Sequence, residues 1–188
     1  MRVIAGKARR LIIKSVPGLD TRPTIDRIKE TLFNIIQPDV AGSNFLDLFS
    51  GSGSIGIEAL SRDASFCVFV DNSSLAASCI RENLLHTHLD RLALVIQKNA
   101  ISAINELAVK GYHFDIVYMD PPYAAAYEKP VLDCLRLSGI IDSDTLIIIE
   151  ADKSNMLDFI ECSDFDIIRI KEYKTNKHFF LKMRKCLN

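Results

Sequence analysis

The sequence predicts an α/β protein in which a mainly parallel sheet carries helices on both faces. Short apolar runs alternate with longer amphipathic runs over most of the chain. A glycine-rich turn at residues 50–56 follows the first central strand, and the stiff turn Asp120-Pro121-Pro122-Tyr123 follows a later one. Parallel strands need helical crossovers, so this order places both turns at the carboxyl edge of one sheet, where open α/β sheets bind their ligands.

Length and composition predict one domain over residues 1–188, divided into an N-terminal extension (1–43) and a core (44–188). No apolar run reaches the roughly 18 residues that cross a bilayer, and the first residues lack the apolar stretch of a secretion signal. The five cysteines are odd in number and widely spaced, which fits neither a zinc site nor a disulfide framework. We therefore expect a cytoplasmic protein with reduced thiols and without a metal.

The extension predicts a small β-hairpin followed by a helix. Strands at 2–5 and 9–14 would flank Gly6-Lys7-Ala8, and an amphipathic helix would run from Pro23 to about Gln37. Pro38 would then end the helix.

The core predicts alternating strands and helices. Strands are expected at 44–49, 66–71, 92–97, 114–119 and 145–150, with helices ending near 60, 88, 110, 137 and 161. A closing antiparallel hairpin is expected at 165–173 and 177–183. Seven strands in this order are the Rossmann-like architecture of the class I methyltransferases that use S-adenosylmethionine.

The glycine-rich turn matches the spacing Gly-x-Gly-x-x-Gly, which alone is weak because dinucleotide-binding folds share it. Asp47, inside the strand end, favours another ligand, because a carboxylate repels pyrophosphate and attracts a cationic amino acid. Asp47 could instead cap a turn. Asp71 ends the next strand twenty residues after Gly51, which suits the two hydroxyls of a ribose.

Asn99 follows the third strand of the core and has two possible roles of equal weight. Its amide could bind an adenine edge, or it could cap the next helix. The candidate cofactor-binding residues are Asp47, Phe49, Gly51, Gly53, Asp71, Asn72, Asn99 and Ala100. His86 and His88 are expected at the surface and not at a metal, because residues two apart on a helix do not face each other.

The turn after the fourth strand predicts the chemistry. Two prolines fix φ and remove two N–H donors, so the turn presents one carboxylate, free carbonyls and one aromatic ring in set directions. An amine on an aromatic base needs that set: acceptors for its N–H groups and a ring on its face. The candidate catalytic residues are Asp120, Pro121, Pro122 and Tyr123; the alternative is a simple strand-ending turn.

Charge is concentrated at the chain ends. Residues 1–30 hold eight Lys/Arg and three acids, and residues 169–185 hold seven Lys/Arg and one acid, although the whole chain carries a net charge of −1. Basic ends on an acidic body favour docking on phosphate; the alternative is chance clustering on a solvated surface. We expect residues 2–14 and 169–185 to form the surface that docks nucleic acid, flanking the mouth of the pocket. Cofactor binding would then belong to the sheet, and the alternative is that the hairpin of residues 2–14 is a structural cap.

The pattern Asp47-x-Phe49-x-Gly51-x-Gly53, with Asp71 and Asp120-Pro-Pro-Tyr, resembles methyltransferases that act on an exocyclic amine of a nucleobase. The runs Arg-Val-Ile-Ala-Gly-Lys and Gly-Leu-Asp-Thr-Arg-Pro-Thr-Ile-Asp-Arg-Ile-Lys-Glu-Thr-Leu-Phe-Asn resemble the RsmD family. The resemblance covers almost the whole chain. It implies S-adenosylmethionine as cofactor, methylation of guanine N2 in bacterial 16S ribosomal RNA, and a monomer without a metal that acts on that RNA or on the small subunit. The implied RNA-binding residues are Lys7, Arg9, Arg10, Arg22, Arg27 and Lys177.

Two other classes remain open. A DNA or other RNA amino-methyltransferase would use the same Asp-Pro-Pro-Tyr turn, although DNA adenine methyltransferases usually carry a separate recognition domain for which this chain has no room. A nucleic-acid-binding protein could keep the fold without activity, but the intact acidic positions Asp47, Asp71 and Asp120 argue against it. A dehydrogenase is a more distant alternative.

Overall fold

The computed structural model describes residues 1–16, 26–122 and 127–185. Within these ranges the helices are α1 Asp26–Val40, α2 Ser54–Ser61, α3 Ser74–Thr87, α4 Ala100–Val109 and α5 Glu128–Ser138. The strands are β1 Asn44–Leu48, β2 Phe66–Asp71, β3 Ala93–Gln97, β4 Ile116–Met119, β5 Leu146–Asp152, β6 Phe165–Glu172 and β7 Asn176–Met183. Two short 3-10 helices cover Asp90–Leu92 and Asp158–Cys162.

The strands form one seven-stranded sheet in the order β3-β2-β1-β4-β5-β7-β6. The strands β1 to β5 are parallel, whereas β7 lies antiparallel between β5 and β6. The direction of winding reverses between β1 and β4, so the carboxyl ends of these two strands border a crevice. The predicted fold class is confirmed.

Each face of the sheet has its own apolar core. One core joins Leu46, Val117 and Ile147 to the buried sides of α4 and α5. The other joins Phe45 and Ile148 to α1, α2, α3 and the first residues of the chain. Successive side chains of a strand point to opposite faces of the sheet. Asp47 therefore lies on the same face as Phe45, and Asp120 on the same face as Tyr118, which is the face of the second core.

The N-terminal segment is not the predicted pair of regular strands. Residues 1–16 form one antiparallel bridge, Arg2 to Ile12, around a turn in which Gly6 and Arg10 have φ of 81° and 73°. The segment also bonds to α2: Lys7 N–H donates to the Ser61 carbonyl at 2.8 Å. A Cβ on Gly6 would lie 1.7 Å from that carbonyl oxygen, so only glycine permits this approach.

Two predicted helix boundaries are wrong. The helix α1 continues through Pro38 to Val40, because Val40 and Ile36 are buried in the core and their packing outweighs the hydrogen bond that proline cannot make. The predicted helix ending near 161 is only a 3-10 helix, which begins after Leu157 with a left-handed φ of 49°. The predicted start of α1 at Pro23 lies outside the described residues.

Candidate active site

The glycine-rich turn joins β1 to α2 and takes its shape from positive φ angles. Phe49, Gly51 and Gly53 have φ of 62°, 55° and 77°. Glycine adopts this conformation at no steric cost, but Phe49 does not, and such strain in a ligand-binding loop is typical of functional sites. Gly56 allows α2 to approach the sheet, because a Cβ there would lie 2.3 Å from the Phe69 ring. The turn therefore brings the positive end of α2 next to the carboxyl end of β1.

Asp47 projects into this turn from β1. It is 1% exposed, and its Oδ2 accepts a hydrogen bond from Gly56 N–H at 3.0 Å. Its Oδ1 is buried and has no hydrogen-bond partner among the described residues. Burial, opposed by the Gly56 bond and assisted by the charge of Asp71, raises the pKa of Asp47 to about 7. A buried unpaired carboxylate oxygen is costly, so it suits a cationic group such as the ammonium or sulfonium of S-adenosylmethionine.

Asp71 ends β2 opposite the same turn. Its Oδ2 accepts Gly51 N–H and its Oδ1 accepts Ser73 N–H, each at 2.9 Å. These bonds fix the carboxylate and tie the glycine turn to β2, while each oxygen keeps a second lone pair for a ribose hydroxyl. Asn72 next to it is exposed.

Asn99 takes the second of its two predicted roles. Its Oδ1 accepts Ser102 N–H at 2.9 Å, which caps α4. Ala100, the first residue of that helix, is 6% exposed. Because β3 lies beside β2, both residues lie at the same edge of the sheet as Asp71. A role for them toward an adenine stays a prediction.

Asp120 directly follows β4, one residue beyond Met119, which pairs with Leu48 on β1. It is half-buried, Pro121 is buried and Pro122 is exposed. Burial, then the negative charges of Glu150 and Asp47, raise the pKa of Asp120 well above its usual range. Its carboxyl group receives no hydrogen bond from any residue in the described ranges. Tyr123 lies outside the described residues, so its predicted stacking role stays a prediction.

One aromatic contact spans the crevice. The Phe49 ring lies 5.7 Å from the ring of Tyr127, which immediately precedes α5 and is 42% exposed. Tyr127 therefore connects the glycine turn with the segment that follows Asp120. It was not among the predicted site residues, although its position four residues after Tyr123 on the same loop could have suggested it.

The predicted docking residues fall into three groups. Arg9, Arg10 and Arg27 are exposed, and Lys7 is exposed but pairs with Asp63 at 2.7 Å. Arg22 lies outside the described residues. The assignment of Lys177 is wrong: it is 3% exposed, and its ammonium lies 3.4 Å from Met156 Sδ and 5.0 Å from the centre of the Phe179 ring.

The N-terminal segment is also a structural cap, which corrects the expectation that it is independent of the cofactor site. Val3, Ala8 and Ile13 are buried in the second core. Asn83 on α3 accepts Lys14 N–H at 2.8 Å, and its amide donates to the carbonyls of Lys14 and Ser52 at 3.0 and 2.9 Å. One side chain thus holds both the segment and the glycine turn.

Glu58 anchors the other end of the segment and was missed in the sequence. It is fully buried on α2 and accepts the N–H groups of Ile4 and Ala5 at 2.8 and 3.1 Å. It also pairs with Lys29 at 3.4 Å and Arg62 at 2.8 Å. Its partners lie up to 54 residues away, and no local pattern marks such a contact.

Membrane spans and metal clusters are both absent from the described part of the chain. No helix within the described ranges is long and apolar enough to cross a membrane. Among the same residues, no group of three or more His, Cys, Asp or Glu side chains could hold a metal ion.

Comparison with known proteins agrees with this architecture. The model of the family described as conserved hypothetical protein 95 matches residues 1–182. The chain is 38% identical over 153 residues to a putative rRNA methyltransferase, YlbH, of Bacillus subtilis, covering 81% of this chain and 83% of that protein. It is 35% identical over 159 residues to the ribosomal RNA small subunit methyltransferase D of Escherichia coli, covering 84% and 77%.

Solved structures match over most of this chain. A putative methyltransferase, yhhF, from Escherichia coli superposes with a TM-score of 0.82 at 29% identity and covers 98% of both chains. A putative methyltransferase, SMU.776, solved with S-adenosylhomocysteine, has a TM-score of 0.67 at 17% identity, covers 82% of this chain and 48% of its own, and supports the fold alone. The fold is that of the class I methyltransferases, whose cofactor is S-adenosylmethionine, and the chain belongs to the RsmD family.

Proposed function

We propose that this protein methylates the exocyclic N2 amine of a guanine in bacterial 16S ribosomal RNA, with S-adenosylmethionine as methyl donor. The observation that carries the proposal is the position of Asp120-Pro121-Pro122 at the end of β4, beside the glycine turn and Asp47 on β1. The names of the relatives from Bacillus subtilis and Escherichia coli support ribosomal RNA as the substrate class.

The cofactor half of the site is assigned to the ends of β1, β2 and β3. Asp47 would face the cationic amino-acid part through its unpaired Oδ1, and Asp71 would accept the ribose hydroxyls. Gly51 and Gly53 would let the backbone approach the cofactor, and Phe49, Asn72, Asn99 and Ala100 would border its adenosine. When bound, S-adenosylmethionine supplies an activated methyl group on its sulfonium.

The target half is assigned to the turn after β4. The Asp120 carboxylate and the Pro121 carbonyl would accept the two N–H groups of the amine and hold its nitrogen in line with the methyl group. The guanine amine is delocalised into its ring, so two acceptors that favour a tetrahedral nitrogen make its lone pair available. The base must leave any helix to reach this turn.

Tyr123 is assigned to stack on the target base. We expect Tyr123→Ala to impair methyl transfer by an amount equivalent to about 1–3 kcal/mol of lost stacking. Tyr123→Phe keeps the ring and should retain most activity. Single-turnover rates for the two variants check this; equal losses would assign the role to the hydroxyl instead.

RNA docking is assigned to the N-terminal extension, residues 1–43, and catalysis to the core, residues 44–188, with a monomer as the working unit. The exposed cations Arg9, Arg10 and Arg27 would contact phosphates, which position a substrate without choosing the base.

One experiment tests the proposal directly. The protein is incubated with labelled S-adenosylmethionine and with unmodified 16S RNA or unmodified small subunits, and the modified nucleotide is mapped. Label on one guanine N2 supports the proposal. Label on DNA or on another RNA instead, or none on any of them, overturns it.

A further inference from the structure

A buried polar cluster lies behind Asp120. Glu150 on β5 is 5% exposed and His178 on β7 is fully buried. Glu150 accepts hydrogen bonds from the Tyr118 hydroxyl at 2.5 Å, from His178 Nε2 at 3.1 Å and from the Asn176 amide. On its outer side, His178 Nδ1 lies 3.2 Å from the Tyr173 hydroxyl. Each ring nitrogen of His178 thus has one partner, and Nε2 donates because a carboxylate can only accept.

This cluster holds Glu150 as an anion. Burial opposes ionisation, but the hydrogen bond and the charge of His178, followed by the hydrogen bonds from Tyr118 and Asn176, outweigh it and leave the pKa of Glu150 below its usual value. A buried carboxylate is stable only when hydrogen-bond donors satisfy its lone pairs, and here three donors converge on Glu150.

The register of the sheet sets Glu150 next to Asp120. Met119 pairs with Ile149, so Asp120 and Glu150 are the next residues on neighbouring parallel strands. Tyr118, two residues before Asp120 and thus on the same face, reaches Glu150 directly. The ionisable groups that act on Asp120 are Glu150 from β5 and Asp47 from β1, and both are acidic.

The chemistry of the proposed reaction needs a proton acceptor at this point. The amine nitrogen forms its bond to the methyl carbon while the carbon–sulfur bond breaks and leaves its electron pair on sulfur. The nitrogen then carries a positive charge and one proton too many. A carboxylate within hydrogen-bond reach of that nitrogen can take the proton, and it does so best when its pKa lies near the working pH.

We propose that Glu150 is a positioning residue whose fixed negative charge, held by Tyr118, Asn176 and His178, makes Asp120 the group that accepts this proton. The inference rests on the proposed function. It gives Asp120 a second task beyond holding the amine, and it explains why a carboxylate that receives no hydrogen bond from the described residues lies beside the carboxylate of Glu150.

The test is the pH dependence of single-turnover methyl transfer. Glu150→Gln removes the charge at nearly constant volume, so the acid limb of the rate profile should move to lower pH by roughly one unit or more. Glu128→Gln is the matched control: Glu128 is also buried and bonds the Asn155 amide at 3.1 Å, but it does not act on Asp120. The acid limb of the rate profile of Glu128→Gln should stay at the pH of the wild-type protein.

A measurement on the wild-type protein keeps the inference falsifiable if Glu150→Gln does not fold. Carbon-13 NMR of the Asp120 carboxyl reads its titration without any substrate. A titration midpoint of Asp120 in the ordinary range of aspartate overturns the role of Glu150. An acid limb of the rate profile that stays in place in Glu150→Gln does so too, and in both cases the methyltransferase activity stands. A wild-type protein that transfers no methyl group overturns the proposed function, and with it the assignment of Asp120 as acceptor.

Discussion

The two halves of the carboxyl edge hold their carboxylates differently. In the cofactor half, Asp71 accepts two backbone N–H groups and Asp47 accepts one. In the target half, Asp120 receives no hydrogen bond from the described residues and lies beside the anion of Glu150. Backbone donors stabilise a carboxylate and fix a loop around it, whereas an unpaired carboxylate keeps its oxygens for an incoming group. We expect this difference to separate cofactor binding from the chemical step, and the following predictions test it.

The largest effect is expected from Asp120→Ala. Loss of the acceptor should lower methyl transfer by about 10²–10⁴-fold, because both the positioning of the amine and the acceptance of its proton are lost. Cofactor affinity should stay unchanged, since Asp120 belongs to the target half. Single-turnover kinetics and calorimetry measure the two quantities. A wild-type rate would mean that the sequence after β4 is only a turn.

Asp71→Ala should act on the other half. Loss of the ribose acceptor should weaken cofactor binding by about 1.5–3 kcal/mol. It also removes the acceptor of Gly51 N–H and Ser73 N–H, so the glycine turn loses part of its support. Asp71→Asn, which keeps one acceptor oxygen, should lose less. Calorimetry on variants with unchanged melting temperatures checks this, and equal affinity in Asp71→Ala would remove Asp71 from the cofactor site.

Asp47 combines features of both halves and should show a smaller, pH-dependent effect. Its pKa is raised to about 7, so near pH 7 about half of the free protein carries the neutral form. A cation beside Oδ1 lowers that pKa, so cofactor binding should release roughly half a proton at pH 7. The affinity should therefore rise with pH through this range and level off above it.

Calorimetry in buffers of different ionisation enthalpy counts the protons released. Asp47→Asn cannot titrate and should release none. An equal release from Asp47→Asn would place the titrating group elsewhere.

The smallest effect on the chemistry is expected from Arg9→Glu/Arg10→Glu. These residues are exposed, so cofactor affinity and melting temperature should stay unchanged. The salt dependence of RNA binding should flatten by roughly one unit of slope for each phosphate that the variant no longer binds. Lys98→Glu/Lys110→Glu, near the ends of α4 on the opposite side of the sheet, is the control and should leave RNA binding unchanged. Normal RNA binding by the Arg9/Arg10 variant at physiological salt would contradict the docking assignment.

Removing residues 1–14 is a poorer test than those substitutions. The deletion would take three backbone donors away from Glu58 and Asn83 and expose the second core. A lower melting temperature is therefore expected, and any loss of RNA binding could not be separated from it.

The fold class and the positions of the turns follow from the sequence alone. The strand Phe66–Asp71 has the predicted bounds, and Asp47, Asp71 and Asp120 lie at the carboxyl edge as expected. Short continuous apolar runs bounded by glycine or proline are local features, so they can be recognised in the sequence without knowledge of tertiary contacts. Glu150 is the last residue of the predicted strand 145–150, so the same rule could have found it.

Tertiary contacts decide which charged side chains are exposed and which are buried against partners. Lys177 and Arg9 look alike in the sequence, yet one is buried against Met156 and Phe179 and the other is exposed. Glu58 and Asn83 serve segments 53 to 69 residues away. Such contacts depend on which elements the sheet brings together, and the cost of burying a charge is met by partners that no local pattern identifies.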